Sequence, residues 1–257
     1  MTFLVLREGT AAWGVGGIAL AEWVALVGIP AGLLLLRPGP PGRVTRAVGL
    51  RPIPLRTTLA SVALGAACLP VAWTVFWLQS PLIPPDGGVV EALNREMIPG
   101  DPRAFVLLAL AVAVTPALCE EFIFRGVLLN GVRGRLAAGW AVSGSALLFG
   151  LLHWAPGGSF RVLPAAALGV ILGWAVWRGR TLAAPILVHL THNLLILTAS
   201  TAAAWGPEPP PLSAAPGAPP LVLVAGGVAL LALGGQLLAP ATPDPPLTDH
   251  TTDPHVH

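Results

Sequence analysis

Apolar residues run along this chain in long blocks and do not alternate with polar ones. Seven blocks stand out: residues 11–36, 57–79, 105–132, 140–154, 162–177, 181–205 and 219–239. A helix needs about 20 apolar residues to cross the hydrocarbon core of a bilayer. In lipid such a segment must satisfy its own backbone hydrogen bonds, which a helix does. The pattern predicts an all-α fold, a polytopic transmembrane helical bundle of about seven spans, with the fourth and fifth blocks the shortest. Residues 1–104 hold spans one and two with their loops, and 105–205 form a core of four spans. Residues 206–239 are a Pro-rich loop and the last span. Residues 240–257 mix Pro, Asp and Thr and read as a disordered tail, in which His250, His255 and His257 are solvated. No internal repeat is evident.

Composition agrees with a bilayer as solvent. Of 257 residues, 54% are hydrophobic and 10% charged, against about 25% charged in a soluble domain. The formal net charge of +2 is too small for nucleic-acid binding. All 14 basic residues are Arg, and they orient the chain. The first loop carries Arg37, Arg43, Arg46, Arg51 and Arg56, the third Arg133 and Arg135, the fifth Arg178 and Arg180. The alternate loops hold Arg95 and Arg103, then Arg161, then none. The positive-inside rule places the rich loops in the cytoplasm, the N-terminus outside and the C-terminus inside. The first block is too long for a cleaved signal peptide, and Arg7 is offset by Glu8. Cys68 and Cys119 sit in apolar runs and read as small buried hydrophobes. The Gly226–Gly227 and Gly234–Gly235 pairs suit close helix packing.

Ionisable groups inside a span are expensive and by default mark function. Here they are Glu22, Glu120, Glu121, Arg125, His153, His189 and His192, joined by the amide of Asn193. Glu121 and Arg125 are four apart and share a helix face, so they can pair. Glu120 has no sequence-local partner, and burial is how enzymes tune a carboxylate into a general base. His189 and Asn193 repeat the spacing of four, as do Phe149 and His153. At the α-helical rise, Glu120 lies ~20 Å from the arginine-bearing end of its span, His153 ~21 Å, His189 ~13 Å and Asn193 ~19 Å. Three helices thus bring polar groups to a comparable depth. Glu22, without a patterned partner, reads as a packing or lumen-facing residue, and His192 alone as a hydrogen-bonded packing residue.

Three motifs stand in order on successive blocks. Glu120-Glu121-Phe-Ile-Phe-Arg125 fits Glu-Glu-x-x-x-Arg, Phe149-Gly-Leu-Leu-His153 fits Phe-x-x-x-His, and His189-Leu-Thr-His-Asn193 fits His-x-x-x-Asn. Over roughly residues 105–200 the chain resembles the CPBP family of intramembrane proteases, which includes type II CAAX prenyl endopeptidases and bacterial Abi-type proteins. Gly126 and the small-residue-rich fifth block add to the resemblance.

The resemblance implies an intramembrane endopeptidase, integral and multi-pass in a bacterial inner (plasma) membrane. Its eukaryotic members remove the last three residues after a prenylated cysteine. Its bacterial members are linked to bacteriocin immunity or regulated processing. The implied partners are the lipid bilayer and a peptide or protein substrate, prenylated or membrane-anchored, with no nucleic acid. Glu120, Glu121, Arg125, His153, His189 and Asn193 are the implied catalytic set. Glu120 takes a proton from water, His153 and His189 position that water, and Asn193 donates to the oxyanion. Members of the family have been described both as metalloproteases and as metal-free glutamate proteases. A divalent metal such as zinc would take His153, His189 and Glu120 as its three ligands. The soluble zinc-peptidase motif His-Glu-x-x-His is absent, and Asn193 suits an oxyanion better than zinc. The rival readings are a proton-coupled transporter, whose buried His and Glu would look alike, and a non-catalytic immunity or scaffold protein.

Overall fold

The computed structural model describes residues 14–36, 42–154, 158–207 and 217–238. Arg7, Glu8, Arg37, the tail histidines and most of the Pro-rich loop lie outside them. The described residues form nine helices and no strand. In chain order, α1 runs Gly14–Leu35, α2 Arg43–Ala47, α3 Leu55–Gln79, α4 Gly87–Met97 and α5 Pro102–Val132. Then follow α6 (Ala138–Leu152), α7 (Val162–Gly179), α8 (Ala183–Ala204) and α9 (Leu221–Leu237).

Each of the seven expected spans falls on an apolar helix, so the chain is an all-α integral membrane bundle. Four helices are long and apolar enough to cross a membrane on those grounds alone: α3, α5, α7 with its preceding turn, and α8. The apolar stretches of α1, α6 and α9 are shorter. At about 1.5 Å per residue, the 15 residues of α6 reach only about 22 Å. The amphipathic helix α4 falls between spans. Its Glu91–Arg95 ion pair, 2.6 Å, is exposed, and Asp86 caps its N-terminus by accepting from the Val89 N–H at 3.0 Å.

Helix α5 begins at a similar signal. Asp101 accepts from the Ala104 N–H at 2.7 Å, and Pro102 occupies the first turn. Within it, α-helical stretches give way to π turns at Leu110–Val114 and Phe122–Leu129, on either side of Glu120 and Glu121. Such turns concentrate at functional sites. Pro116 accounts for the first interruption, because it has no N–H to give the carbonyl of Val112 four residues earlier.

The bundle has two hubs. Helix α3 packs against α7, α8 and α9, and α5 packs against α1, α6, α7 and α8. Small residues let these helices approach closely. A Cβ on Gly234 would sit 2.6 Å from Leu64, and one on Gly227 would sit 2.5 Å from Pro70. The same holds between α6 and α7, where a Cβ on Gly169 would come within 2.9 Å of the Ala146 backbone. Gly226, by contrast, faces open space. Leu64, Cys68, Phe124, Phe149, Leu172 and Val188 meet in one apolar core between the hubs. Both cysteines are buried and unpaired with each other.

Candidate active site

The side chains of Glu120, Glu121 and Arg125 project from the middle of α5, those of His189 and Asn193 from α8, and His153 caps the end of α6. Glu121 and Arg125 are wholly buried, and Arg125 Nη1 donates to Glu121 Oε1 at 2.8 Å. The pair is not alone. His189 Nδ1 also meets Glu121 Oε1, at 2.9 Å, and Arg125 Nη2 donates to the Gly169 carbonyl at 3.1 Å. One buried carboxylate therefore holds both the cation of its own helix and the imidazole of another.

Glu120 is arranged differently. It is 6% exposed, and its Oε2 has no hydrogen-bond partner among the described residues. His189 Nε2 lies 3.9 Å from it. Buried polar atoms are nearly always satisfied, so this oxygen has room for a water; Glu121 Oε2 and Arg125 Nε share the feature among the described residues.

The two site histidines are held alike, each through Nδ1. The Phe149 carbonyl can only accept, so His153 Nδ1, 2.9 Å away, carries the proton. The Glu121 oxygen that accepts from Arg125 can accept from His189 Nδ1 in the same way. A neutral imidazole held in this way presents Nε2 as an acceptor for water.

Phe149 is the hub of the site. It is fully buried. The Arg125 guanidinium lies 4.5 Å from its ring centroid, and the His153 and His189 rings lie 4.7 and 5.7 Å from it. The Phe124 ring packs edge-on at 5.4 Å. Only its motif position marks this residue in the sequence, because an apolar side chain inside an apolar block carries no contrast.

Asn193 is held by the backbone of α5. Its Nδ2 donates to the Val112 carbonyl at 3.2 Å, the group that Pro116 leaves without a helical donor. The amide thus closes the break in α5. Asn has two N–H donors, so one remains for another partner.

Glu22 is buried on α1, within electrostatic reach of Glu120. Helix α1 is tied to α5 by Trp23 Nε1, which donates to Thr115 Oγ1 at 3.3 Å. No spacing rule links residues 22 and 120, so sequence reasoning left Glu22 outside the set. His192 is buried, and its Nδ1 finds no hydrogen-bond partner among the described residues.

A catalytic zinc takes three protein ligands and leaves one position open. The lone pairs on two Nε2 atoms, each with its Nδ1–H fixed by a second partner, are of the right chemistry. Among the described residues, however, no three His, Cys, Asp or Glu side chains gather closely enough to hold an ion. Glu120, His153 and His189 do not form a closed ligand set.

No curated protein and no solved structure matches the chain. The sequence model of one family does, over residues 102–195; its description is Type II CAAX prenyl endopeptidase Rce1-like. That segment runs from the start of α5 into α8 and contains all three motifs. Residues 102–195 thus carry an Rce1-like core, and the resemblance to the CPBP intramembrane proteases holds at the level of the family.

Proposed function

We propose that the protein is an intramembrane endopeptidase of the CAAX prenyl type, in which Glu120 activates a water against a peptide bond of a membrane-anchored substrate. The observation that carries this reading is the buried, unpartnered Glu120 Oε2 facing His189 Nε2 at 3.9 Å. Both atoms are acceptors. A water in contact with both donates one hydrogen to each and keeps its lone pairs for the carbonyl carbon. His153, with its own Nε2 left as an acceptor, joins His189 in positioning the water.

As the oxygen attacks, Glu120 takes the proton, and the carbonyl oxygen becomes an oxyanion. Collapse breaks the C–N bond, and the proton passes from Glu120 to the departing amine. The second N–H of Asn193 is the donor offered to the oxyanion, a contact that typically contributes about 3–4 kcal/mol. The Glu121–Arg125 pair fixes the orientation of His189. No step in this reading runs through a metal. Positive-inside sidedness, with the N-terminus outside, belongs to the same proposal.

The test is cleavage of membrane-anchored reporter peptides, prenylated and unprenylated, by chelator-washed protein and by Glu120→Ala. We expect the wild type to cleave and the variant to be slower by about 10²–10⁴-fold. Cleavage that ignores the substitution would sink the role of Glu120. Stoichiometric zinc that limits activity would sink the metal-free route. The preferred peptide identifies the substrate class.

A further inference from the structure

The bundle is not equally tall all round. On one flank its helices are short. The exposed stripe of α6 begins at Trp140, 78% exposed, runs through Leu147, Leu148 and Leu151, and ends at Trp154, 58% exposed. The opposite face of α6 is buried, with Val142, Ser145, Ala146 and Phe149 turned inward. Trp140 and Trp154 stand about 21 Å apart at the α-helical rise. The apolar run of α7, residues 162–177, lies between Arg161 and Arg178 and spans about 24 Å. The 17 residues of α9 reach about 26 Å. By contrast, the 31 residues of α5 and the 22 of α8 reach about 46 and 33 Å.

A hydrocarbon core is about 30 Å thick. The flank of α6, α7 and α9 therefore falls short of it by roughly 4–9 Å, and tilt only widens the gap. Nor can the flank stretch to fit. The turn between α6 and α7 is tied to the end of α3, where Gln79 donates to the Phe160 carbonyl and the Phe76 and Phe160 rings pack edge-on at 5.9 Å. The other end is held by Arg133 Nη2, which donates to the Val176 and Trp177 carbonyls at 3.0 and 3.1 Å. When a packed helix cannot lengthen, the lipid beside it must thin.

We propose that the exposed face of α6 seats a locally thinned bilayer, whose surface dips to Trp154. Indole side chains favour headgroup depth, so Trp140 and Trp154 mark the two surfaces of that thinned region. The shortfall collects at the Trp154 end, because Arg133 and Arg135 hold the start of α6 at the other surface. His153 precedes Trp154 and shares its depth. The inference does not depend on the protease reading; where both hold, water reaches His153 without crossing a full leaflet.

The test reconstitutes the full chain in dimyristoleoyl, dioleoyl and dierucoyl phosphatidylcholine, which form progressively thicker bilayers. Single cysteines at Leu147, Leu151 and Trp154 sample the lipid-facing stripe. Maleimide needs a thiolate, which forms where water reaches the sulfur, and the native Cys68 and Cys119 are buried. Labelling by a membrane-impermeant maleimide is normalised to Gly100→Cys, which precedes α5 at the same end as Trp154 and is exposed. We expect Trp154→Cys to label like Gly100→Cys in the two thinner lipids and to lose that reactivity in dierucoyl lipid. Leu151→Cys, one turn deeper, should label in dimyristoleoyl lipid alone, and it carries the test if Trp154→Cys does not fold. Leu147→Cys should label in none. Trp154→Cys as unreactive as Leu147→Cys in dioleoyl lipid overturns the proposal, and so does labelling of the stripe that ignores acyl-chain length. Disulfide-linked dimers of Leu147→Cys under an oxidant would place a second copy of the chain on the stripe and overturn it as well.

Discussion

Two adjacent glutamates on α5 have opposite environments, and this makes opposite demands on stability and chemistry. Glu121 neutralises a fully buried arginine at 2.8 Å and orients His189. Breaking a buried pair from one side leaves an uncompensated charge, which costs about 3–5 kcal/mol. Glu121→Gln should therefore lower the thermal midpoint sharply, whatever it does to cleavage. Glu120 Oε2 has no partner to lose. Glu120→Gln removes the buried carboxyl while keeping the shape, so the midpoint should hold or rise while cleavage disappears. Thermal melts of both variants in one detergent, beside the reporter assay, separate the two roles; equal destabilisation would contradict the division. The separation was partly legible in the sequence, because Glu121 and Arg125 share a helical face and Glu120 does not. The attachment of His189 to Glu121 was not, since nothing in a spacing of 68 residues says which carboxylate an imidazole will meet. Glu22 escaped for the same reason: its relation to Glu120 exists only once α1 has packed on α5.

At the scale of elements, the site depends on a break in a helix. Pro116 removes the donor for the Val112 carbonyl, and Asn193 supplies one from α8 at 3.2 Å. An orphaned buried carbonyl costs about 1–3 kcal/mol, and this one is half-buried, so Asn193→Ala should destabilise the wild type by the lower part of that range. In a Pro116→Ala background the restored N–H can serve Val112, and the same substitution should cost less. The double-mutant cycle should show a coupling of about 0.5–3 kcal/mol. Strict additivity would mean that the amide does not stand in for the missing helical bond. Cleavage need not recover with stability, because the proposed oxyanion contact is lost in both backgrounds. The helices themselves were readable as apolar blocks, and their ends agree within a few residues with the observed ones. Helix α4 was not readable in that way, because its apolar residues alternate with Glu91, Arg95 and Glu96 and form no block. The π turns flanking Glu120 were likewise out of reach, since Pro116 announces a break but not how the chain absorbs it.

For the molecule as a whole, the loops sort to two ends. Asn130 donates to the Ala47 carbonyl at 2.7 Å, Thr181 to the Arg51 carbonyl at 2.9 Å, and Arg133 to the Val176 carbonyl at 3.0 Å. The first, third and fifth loops therefore meet at one end, and they are the loops rich in arginine. Gln79 donates to the Phe160 carbonyl, and Trp205 Nε1 donates to the Pro99 carbonyl at 3.0 Å, which brings the second, fourth and sixth connections together at the other. Sequence alone predicts this alternation from charge; packing reaches it independently from hydrogen bonds. Which end faces the cytoplasm is set by the bilayer and the insertion machinery, and the positive-inside rule assigns it to the arginine-rich end. Single cysteines test the assignment cleanly, because Cys68 and Cys119 are buried and should not react. Gly100→Cys adds a thiol at an exposed position where a Cβ meets nothing, and Arg135→Cys adds one at the opposite end. A membrane-impermeant maleimide should label Gly100→Cys on intact cells and Arg135→Cys only after permeabilisation. The reverse order would invert the orientation. Labelling of both from the same side would mean that α5 does not cross the bilayer, and the site on its middle turns would then face solvent instead of lipid.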